Sequence, residues 1–446
     1  MAHIVLPGYL ASRIGADRPL EAAGATAGEA LRRLEADHPA LAGWVLDEQG
    51  RLRRHVQVFR GDRQVDLDAP VEAEDRLYVV AAISGGRSAG EPVELLVGTQ
   101  KGLFVLRGPR GGRFDVAGRA FPGESVEYAM QDSETGRTFA AVSHGQFGPH
   151  LFFTDGDPLG EWTEAEGPAF PSDVDATVTC IWAVERGVGG TLWAGVAPAA
   201  LFRSDDGGAS WQLVSGLWDV PSRPRWEGGA GGLCLHSICP WPGDPDRLAV
   251  GISAAGVWRT EDGGRSWQWG VEGLVPRYVP EEARAENVSF CVHKMLRAPL
   301  EPETLYMQFH GGVYRSDDAG ASWKDVAFGL PADFGFPLAI DPADPDRAFV
   351  IPLVADHDRV TPNGRLRVYE TRDRGASWRP LASGLPQEGA WLTVLRQAFC
   401  DDGRDPLGLY FGAKSGEVFA TADGGATWAT AAGRLPAISS VRCGVR

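Results

Sequence analysis

Apolar and polar residues alternate in short runs along most of the chain, and few stretches carry the three-to-four spacing of a helix. In the first 86 residues, Ile4-Val5-Leu6, His55-Val56-Gln57-Val58-Phe59 and Arg76-Leu77-Tyr78-Val79-Val80 predict strands, and Pro19-Leu20-Glu21 begins another. Residues 25–35 predict a helix. Thr26 stands at the N-cap with Glu29 three residues on, Ala30, Leu31 and Leu34 make an apolar stripe, and His38-Pro39 stops it. The order β-β-α-β-β lets one helix cover one mixed sheet, an α+β arrangement.

Beyond residue 92 the pattern becomes repetitive. Strand pairs are predicted at 192–203, 248–259, 305–315, 349–370 and 409–420, with further pairs at 138–154 and 95–106. Five of them run into octets of the form Ser/Thr-x-Asp-x-Gly-x-Ser/Thr-Trp, carrying Asp206/Trp211, Asp262/Trp267, Asp318/Trp323, Asp373/Trp378 and Asp423/Trp428. The tryptophans are 56, 56, 55 and 50 residues apart, about one four-stranded blade with its loops. Thr154-Asp155-Gly156-Asp157, ending at Trp162, is a degenerate copy. In each octet the carboxylate is expected to accept turn amides and the glycine to supply positive φ. All five indoles are expected to fold back and bury their rings against neighbouring strands. Inner strands are expected at 126–130, 177–184, 232–239, 287–296, 336–340 and 391–399. The unit at 95–106 lacks one, and residues 438–445 can fill the vacancy, closing a ring of seven blades with no open edge.

Composition narrows the function. The 446 residues carry 43 basic and 59 acidic side chains, a net charge of −16, which argues against nucleic acid or an anionic membrane as partner. No apolar run reaches a membrane span, and the N-terminus lacks the basic and apolar regions of a secretory signal. The six scattered cysteines form no Cys-x-x-Cys pair, which suits reduced thiols and a cytoplasmic location. Small and breaker residues at 84–92 predict a linker, so the domains are expected at 1–86 and 93–446 with 87–92 between them.

The ordered set Ile4-Val5-Leu6-Pro7-Gly8, Gly24 to Leu31, His38-Pro39, Asp47 to Leu52, Val58-Phe59 and Gly85-Gly86 resembles the MoaD/ThiS-type ubiquitin-like sulfur carriers of β-grasp fold. The octets resemble the Asp-box of sialidase-like BNR-repeat β-propellers, in which these hairpins lie opposite the ligand face. The first resemblance implies a carrier tail, Gly85-Gly86, that is adenylated and converted to a thiocarboxylate by a partner activating enzyme. That enzyme would bring the ATP and Mg, and the carrier itself would bind no cofactor. Here Arg87 follows Gly86, so a processing protease would have to cut first. The expectation is therefore a carrier or modifier domain, latent until cleavage after Gly86, joined to a non-catalytic propeller serving as binding platform. The alternatives are a glycoside hydrolase or lyase with an accessory ubiquitin-like domain, and a permanent interaction scaffold.

The ligand-side loops are expected to be those preceding inner strands and those joining second to third strands. They hold His144, Arg225, Trp226, Glu227, Arg277, Tyr278, His310, His357, Arg359 and Lys414, a set suited to a small anionic or sugar-like ligand. Glu227, Glu281, Glu282, Asp356 and Glu388 are the acids there from which a hydrolase would draw its two carboxylates. The sialidase opening signature Phe/Tyr-Arg-Ile-Pro is absent. Cys234-x-His236 and Cys291-x-His293 occupy equivalent places in successive inner strands, as structural residues or as a Cys2His2 metal set.

Overall fold

The computed structural model describes residues 2–6, 14, 19–41, 43–47, 50–52, 56–60, 63–73, 75–81, 92–229 and 231–444. The chain divides into two compact units, Met1–Arg87 and Ser88–Arg446. The Gly85-Gly86-Arg87 tail lies outside the described residues.

In the first unit, β1 (Ala2–Val5), β2 (Leu20–Ala22), β3 (Val56–Arg60), β4 (Arg63–Gln64) and β5 (Arg76–Ala81) form one mixed sheet, ordered β2-β1-β5-β3-β4. The β1–β5 pair is parallel and the others antiparallel. Helix α1 (Ala27–Asp37) buries Ala27, Ala30, Leu31 and Leu34 in one apolar cluster with Ile4, Val58, Leu77 and Val79 of the sheet. Its start is a reciprocal cap: Thr26 Oγ1 accepts from Glu29 N at 3.3 Å, and Glu29 Oε2 accepts from Ala25 N at 2.8 Å. The helix runs two residues past the predicted stripe, where Arg33 pairs with Asp37 one turn on and His38 N–H closes onto Leu34 O.

The second unit is built almost entirely of antiparallel sheets: five separate four-stranded sheets and one of eight strands. In the eight-stranded sheet the last strand, Ile438–Cys443, stands between Val394–Asp401 and Pro92–Thr99. It pairs antiparallel with Pro92–Thr99, Val441 opposite Val97, and meets Val394–Asp401 through the single parallel bridge Gln397–Ser440. The inner strands touch one another in sequence around a closed ring, a propeller-like fold. The first and last strands of this unit thus meet in one sheet, and the pairing satisfies the edge groups each would otherwise expose. No helix among the described residues is long and apolar enough to cross a membrane.

The five octets repeat one hydrogen-bond set. Asp262 accepts from Ser266 N (2.9 Å), Ser266 Oγ (2.6 Å) and Thr260 Oγ1 (2.8 Å), and the other four aspartates do the same. Ser266 above all holds the Asp262 carboxyl down at about 2, so these turns keep their charge across the neutral range. The fifth position is glycine at φ between +85° and +92° in all five. The fourth position is also left-handed, and Ala319 occupies it at φ +62°. Ala319→Gly is expected to stabilise this hairpin by about 1 kcal/mol, read as a higher unfolding midpoint. An unchanged or lower midpoint would show that the strain is compensated.

The expectation that all five octet indoles are buried is corrected. Trp323 and Trp428 are buried, whereas Trp211, Trp267 and Trp378 are only half-buried. Each ring sits at the outer hairpin of its blade, where its own sheet covers one side. Full burial requires the preceding blade to close over the other side. At Trp323 and Trp428 that closure is made: their backbone N–H groups donate to Glu272 O and Ser383 O of the preceding blade, both at 2.8 Å. Trp267 instead turns its Nε1 onto Gly264 O of its own turn, and Trp378 touches the preceding blade through its ring nitrogen, on Val326 O at 2.6 Å. Trp211 and Trp267 pack only at the margin of the apolar cluster around Trp193 and Phe202, and Trp378 at the margin of the one around Tyr306 and Tyr369.

Candidate functional site at the start of the inner strands

Because strand direction alternates within each sheet, the octet hairpins leave at the end opposite to that where the inner strands begin. Loops entering the inner strands and loops joining second to third strands share that other end. Four aromatic rings in these loops face solvent: Phe147 (73% exposed), Phe328 (89%), Trp391 (60%) and Tyr278 (39%).

Each inner strand that can be followed into its neighbour breaks register near its start. Glu127 falls between the pairs Val126–Val142 and Tyr128–Ala141, and Trp182 between Ile181–Val196 and Ala183–Gly195. His236, His293, the Phe336-Pro337 pair and the segment containing Arg396 are skipped in the same way. A bulge bends the strand and re-aims the extra side chain. Seven register breaks near the strand starts therefore make a collar: six carry Glu127, Trp182, His236, His293, Phe336 and Arg396, and the seventh carries Ser439.

Arg396 is the collar's positive centre. Its guanidinium carbon lies 5.2 Å from the Trp182 ring and 5.6 Å from the Phe336 ring, and Nη1 is 3.5 Å from Cys234 Sγ. Arg359, from the long loop between Leu353 and Val368, lies 5.3 Å from the same Phe336 ring. Burial raises the thiols of Cys180 and Cys291, and the positive charge of Arg396 pulls against that rise. At His236 and His293 burial and Arg396 act together and hold both imidazoles neutral, well below their ordinary pKa.

One cluster stands out. Cys291, His293 and His310 bring one donor atom each within 4.8 Å of one another. His293 Nδ1 is 2.5 Å from Gly335 O, and His310 packs against Tyr278 with ring centroids 4.5 Å apart and planes tilted by 59°, with Asp356 Oδ2 3.7 Å from its Nε2. Tyr278 Oη accepts from Cys291 N and donates to Ser289 O, both at 2.7 Å.

One residue further along the inner strands a buried polar network occupies the axis. Gln397 Oε1 accepts from Lys294 Nζ (2.7 Å) and Arg442 Nη2 (2.6 Å), and Gln397 Nε2 donates to His236 O (2.9 Å). Tyr128 Oη donates to Glu185 Oε1 (2.7 Å) and lies 3.4 Å from Arg442 Nε.

The sequence-derived residues fall into two groups. Tyr278, His310 and Arg359 gather beside the collar, while His357, Glu227, Arg225 and Lys414 are exposed on the same loops. His144 Nδ1 accepts from Gln146 N and Phe147 N, ordering its own hairpin. One expectation of placement is corrected. Trp226 is 7% exposed, packs on Trp258 and donates to Ser222 Oγ, because its apolar ring finds a better place between sheets than on the face. Arg277 stays exposed in its loop and also clamps it, donating to Gly311 O and pairing with Asp325 and Asp333, which come from the last strand of its own sheet and the segment that follows it. The Cys2His2 set also does not form. His236 spends both ring nitrogens, on Val292 O and Ser237 Oγ, and Cys234 donates to Ser253 Oγ. His310, from the adjoining hairpin, takes the place beside Cys291 and His293.

Glu127, Trp182, Phe336 and Arg396 escaped the sequence reading. Their signal was present: Cys180-Ile181-Trp182 matches the Cys-x-His pattern with Trp in place of His, and aligning the remaining inner strands on it reaches all four.

No family model matches the chain. It is 25% identical over 247 residues to the oligoxyloglucan-reducing end-specific xyloglucanase of Emericella nidulans, covering 48% of this chain and 28% of that protein. It is 39% identical over 109 residues to vacuolar protein sorting/targeting protein 10 of Verticillium alfalfae, covering 23% of this chain and 7% of that one. The chain thus spans less than a third of either curated relative. Among solved structures, the GH74 enzyme of Niastella koreensis covers 76% of this chain and 56% of its own, with 14% identity and a TM-score of 0.51, a likeness of fold. SAMP1 from Haloferax volcanii matches 19% of this chain and 98% of its own at 32% identity, with a TM-score of 0.17. The xyloglucanase match overturns the expectation of a cleavable sulfur carrier on a non-catalytic platform: a curated relative matching 247 residues of this chain is a xyloglucanase, an enzyme that acts on a glycan.

Proposed function

We propose that the protein is a glycoside hydrolase of the propeller type, built on seven blades, with residues 1–86 as an accessory ubiquitin-like β-grasp domain. The observation that carries this reading is the set of exposed rings, Phe147, Tyr278, Phe328 and Trp391, at the end of the ring that also holds the collar. Sugar rings present apolar C–H faces, and exposed aromatics give them a stacking surface with small ordering cost. The xyloglucanase match points the same way. The topology of the first unit, one helix over a mixed five-stranded sheet with β1 and β5 parallel at its centre, supports the β-grasp assignment.

Glycosidic hydrolysis needs two carboxylates. Asp356, in the loop beside His310, and Glu127, on the collar, are the two that this reading assigns. Asp356 is held below its ordinary range, first by its hydrogen bond with His357, and so takes the role of base or nucleophile. Glu127 accepts from Ser125 Oγ at 2.7 Å and is the second carboxylate of the pair.

The test is to incubate the full chain with xyloglucan oligosaccharides and a panel of aryl glycosides, sialosides included, and to follow released sugar by chromatography and mass. Turnover is expected on at least one glycan, falling by roughly 10²–10⁴-fold in Asp356→Asn and Glu127→Gln. No turnover on any substrate, or rates unchanged in both variants, overturns the proposal.

A further inference from the structure

We propose that Cys291, His293 and His310 form a mononuclear zinc site that keeps a coordination position open toward the collar. The glycan reading shares Asp356 with this site but does not require the metal, and the two are tested by different measurements.

The donor set is one thiolate and two imidazoles, the mixture that borderline metals prefer and that catalytic zinc sites use with a fourth position left free. The three donor atoms already lie within 4.8 Å of one another. Tetrahedral bonds of about 2.0–2.3 Å place donors roughly 3.3–3.8 Å apart, so small side-chain rotations close the set. Two of the three come from one strand start: Cys291 precedes Val292–Arg297 and His293 is its bulged residue. His310 comes from the hairpin after Leu305–Phe309, the strand paired with it.

The surroundings orient each ligand as metal sites require. Gly335 O engages His293 Nδ1, which leaves Nε2 for the ion. Asp356 Oδ2 lies beside His310 Nε2, which leaves Nδ1. Tyr278 pins the Cys291 backbone through its N–H and packs against His310, so one phenol holds two ligands. His236, the equivalent residue one blade earlier, has both nitrogens engaged. The pattern is therefore particular to this blade rather than a consequence of the repeat.

Charge decides what fills the open position. Zinc displaces the Cys291 thiol proton to solvent, leaving one thiolate against a divalent ion with neutral imidazoles. Arg359 and Arg396 add positive charge close by, both acting on His293 and Cys291. The fourth ligand is thus an anion: hydroxide in the resting site, or a carboxylate-bearing ligand.

The experiment uses the full chain stripped with a chelator and then titrated with Zn²⁺ against a competing chelator, and in parallel with Co²⁺ followed by absorbance. One ion per chain is expected, with a thiolate-to-cobalt charge-transfer band and the d–d intensity of tetrahedral coordination. Cys291→Ser is expected to lose the charge-transfer band, and His310→Ala to weaken binding by at least ~100-fold. Cys234→Ser is expected to bind as the natural sequence does. Both ligand variants should keep the far-ultraviolet dichroism of the metal-free protein, since His310 is partly exposed and serine is close to cysteine in size. Absence of stoichiometric binding by the natural sequence overturns the proposal, as does a charge-transfer band that survives in Cys291→Ser. Should His310→Ala fail to fold, the natural sequence and Cys291→Ser decide the question alone.

Discussion

Gly384→Ala is expected to destabilise the second unit by about 3–5 kcal/mol. Gly384 sits at φ +83°, and a methyl group built there meets the carbonyl oxygen of Trp428 at 1.9 Å. That oxygen belongs to the octet of the next blade, whose Trp428 N–H donates to Ser383 O. The methyl group cannot be accommodated by a side-chain rotation, because its obstacle is backbone. Consecutive sheets must separate, losing the hydrogen bond and the packing around it. The same close approach recurs at Gly273, whose added methyl group meets Trp323 O at 2.1 Å. The matched control is Gly389→Ala: φ is +63° and nothing lies within 4 Å, so only backbone strain of about 1 kcal/mol is expected. Of the 15 tryptophans only Trp44 lies in the first unit, so tryptophan fluorescence during denaturant unfolding reads the second unit. Equal losses in the two variants would refute the crowding argument.

The second large effect is on pH. Lys294 is buried in the axial network, and burial, helped by the nearby charge of Arg442 and opposed by Glu185, pushes its pKa down to about 7. Its value in the unfolded chain is near 10.5. Between those values the unfolded chain holds a proton that the folded one lacks, so this lysine makes stability rise with pH by up to about 1.4 kcal/mol per unit, or about 5 kcal/mol in all. Below about pH 7 the folded state carries the full cost of an ammonium in the axis. The buried thiols of Cys239 and Cys400 and the phenols of Tyr306 and Tyr410 are all raised and pull stability the other way at alkaline pH. The comparison is therefore between the natural sequence and Lys294→Met across about pH 7–10. The lysine-bearing protein is expected to gain stability relative to the variant as pH rises. A constant difference would show that Lys294 titrates normally.

These two sites differ in how far the sequence announced them. The octets, their spacing and the vacancy before residue 95 are local or countable features. They were sufficient to place the strand pairs, the turns and the joining of the terminal strand to Pro92–Thr99. The helix cap at Thr26 was legible for the same reason, since its hydrogen bonds span three residues. The burial of the octet indoles was not legible, although their spacing was. Trp211, Trp267 and Trp378 share the motif of Trp323 and Trp428, and in the buried pair the preceding blade takes up the tryptophan's own backbone N–H. The Gly-Leu pairs at 273–274 and 384–385 face the backbone of Trp323 and Trp428, and their role emerges only from what faces them.

The site was less legible. Tyr278, His310 and Arg359 were found because polar and aromatic residues in loops are conspicuous. Trp226 was misplaced by the same rule, because a loop residue can turn inward when a sheet edge offers an apolar seat. Glu127, Trp182, Phe336 and Arg396 look like ordinary strand positions. Their orientation comes from bulges, and a bulge exists only relative to the partner strand.

By itself the sequence determined a two-part chain, the identity of its strands and turns, and a repeat that closes through its two ends, since each rests on spacing and local hydrogen bonding. Tertiary pairing alone decided which side chains share the collar, that His310 rather than Cys234 or His236 stands beside Cys291 and His293, and that Lys294 is buried next to Arg442. Those facts depend on register between strands some tens to hundreds of residues apart, and a one-residue slip in that register turns a side chain to the other face.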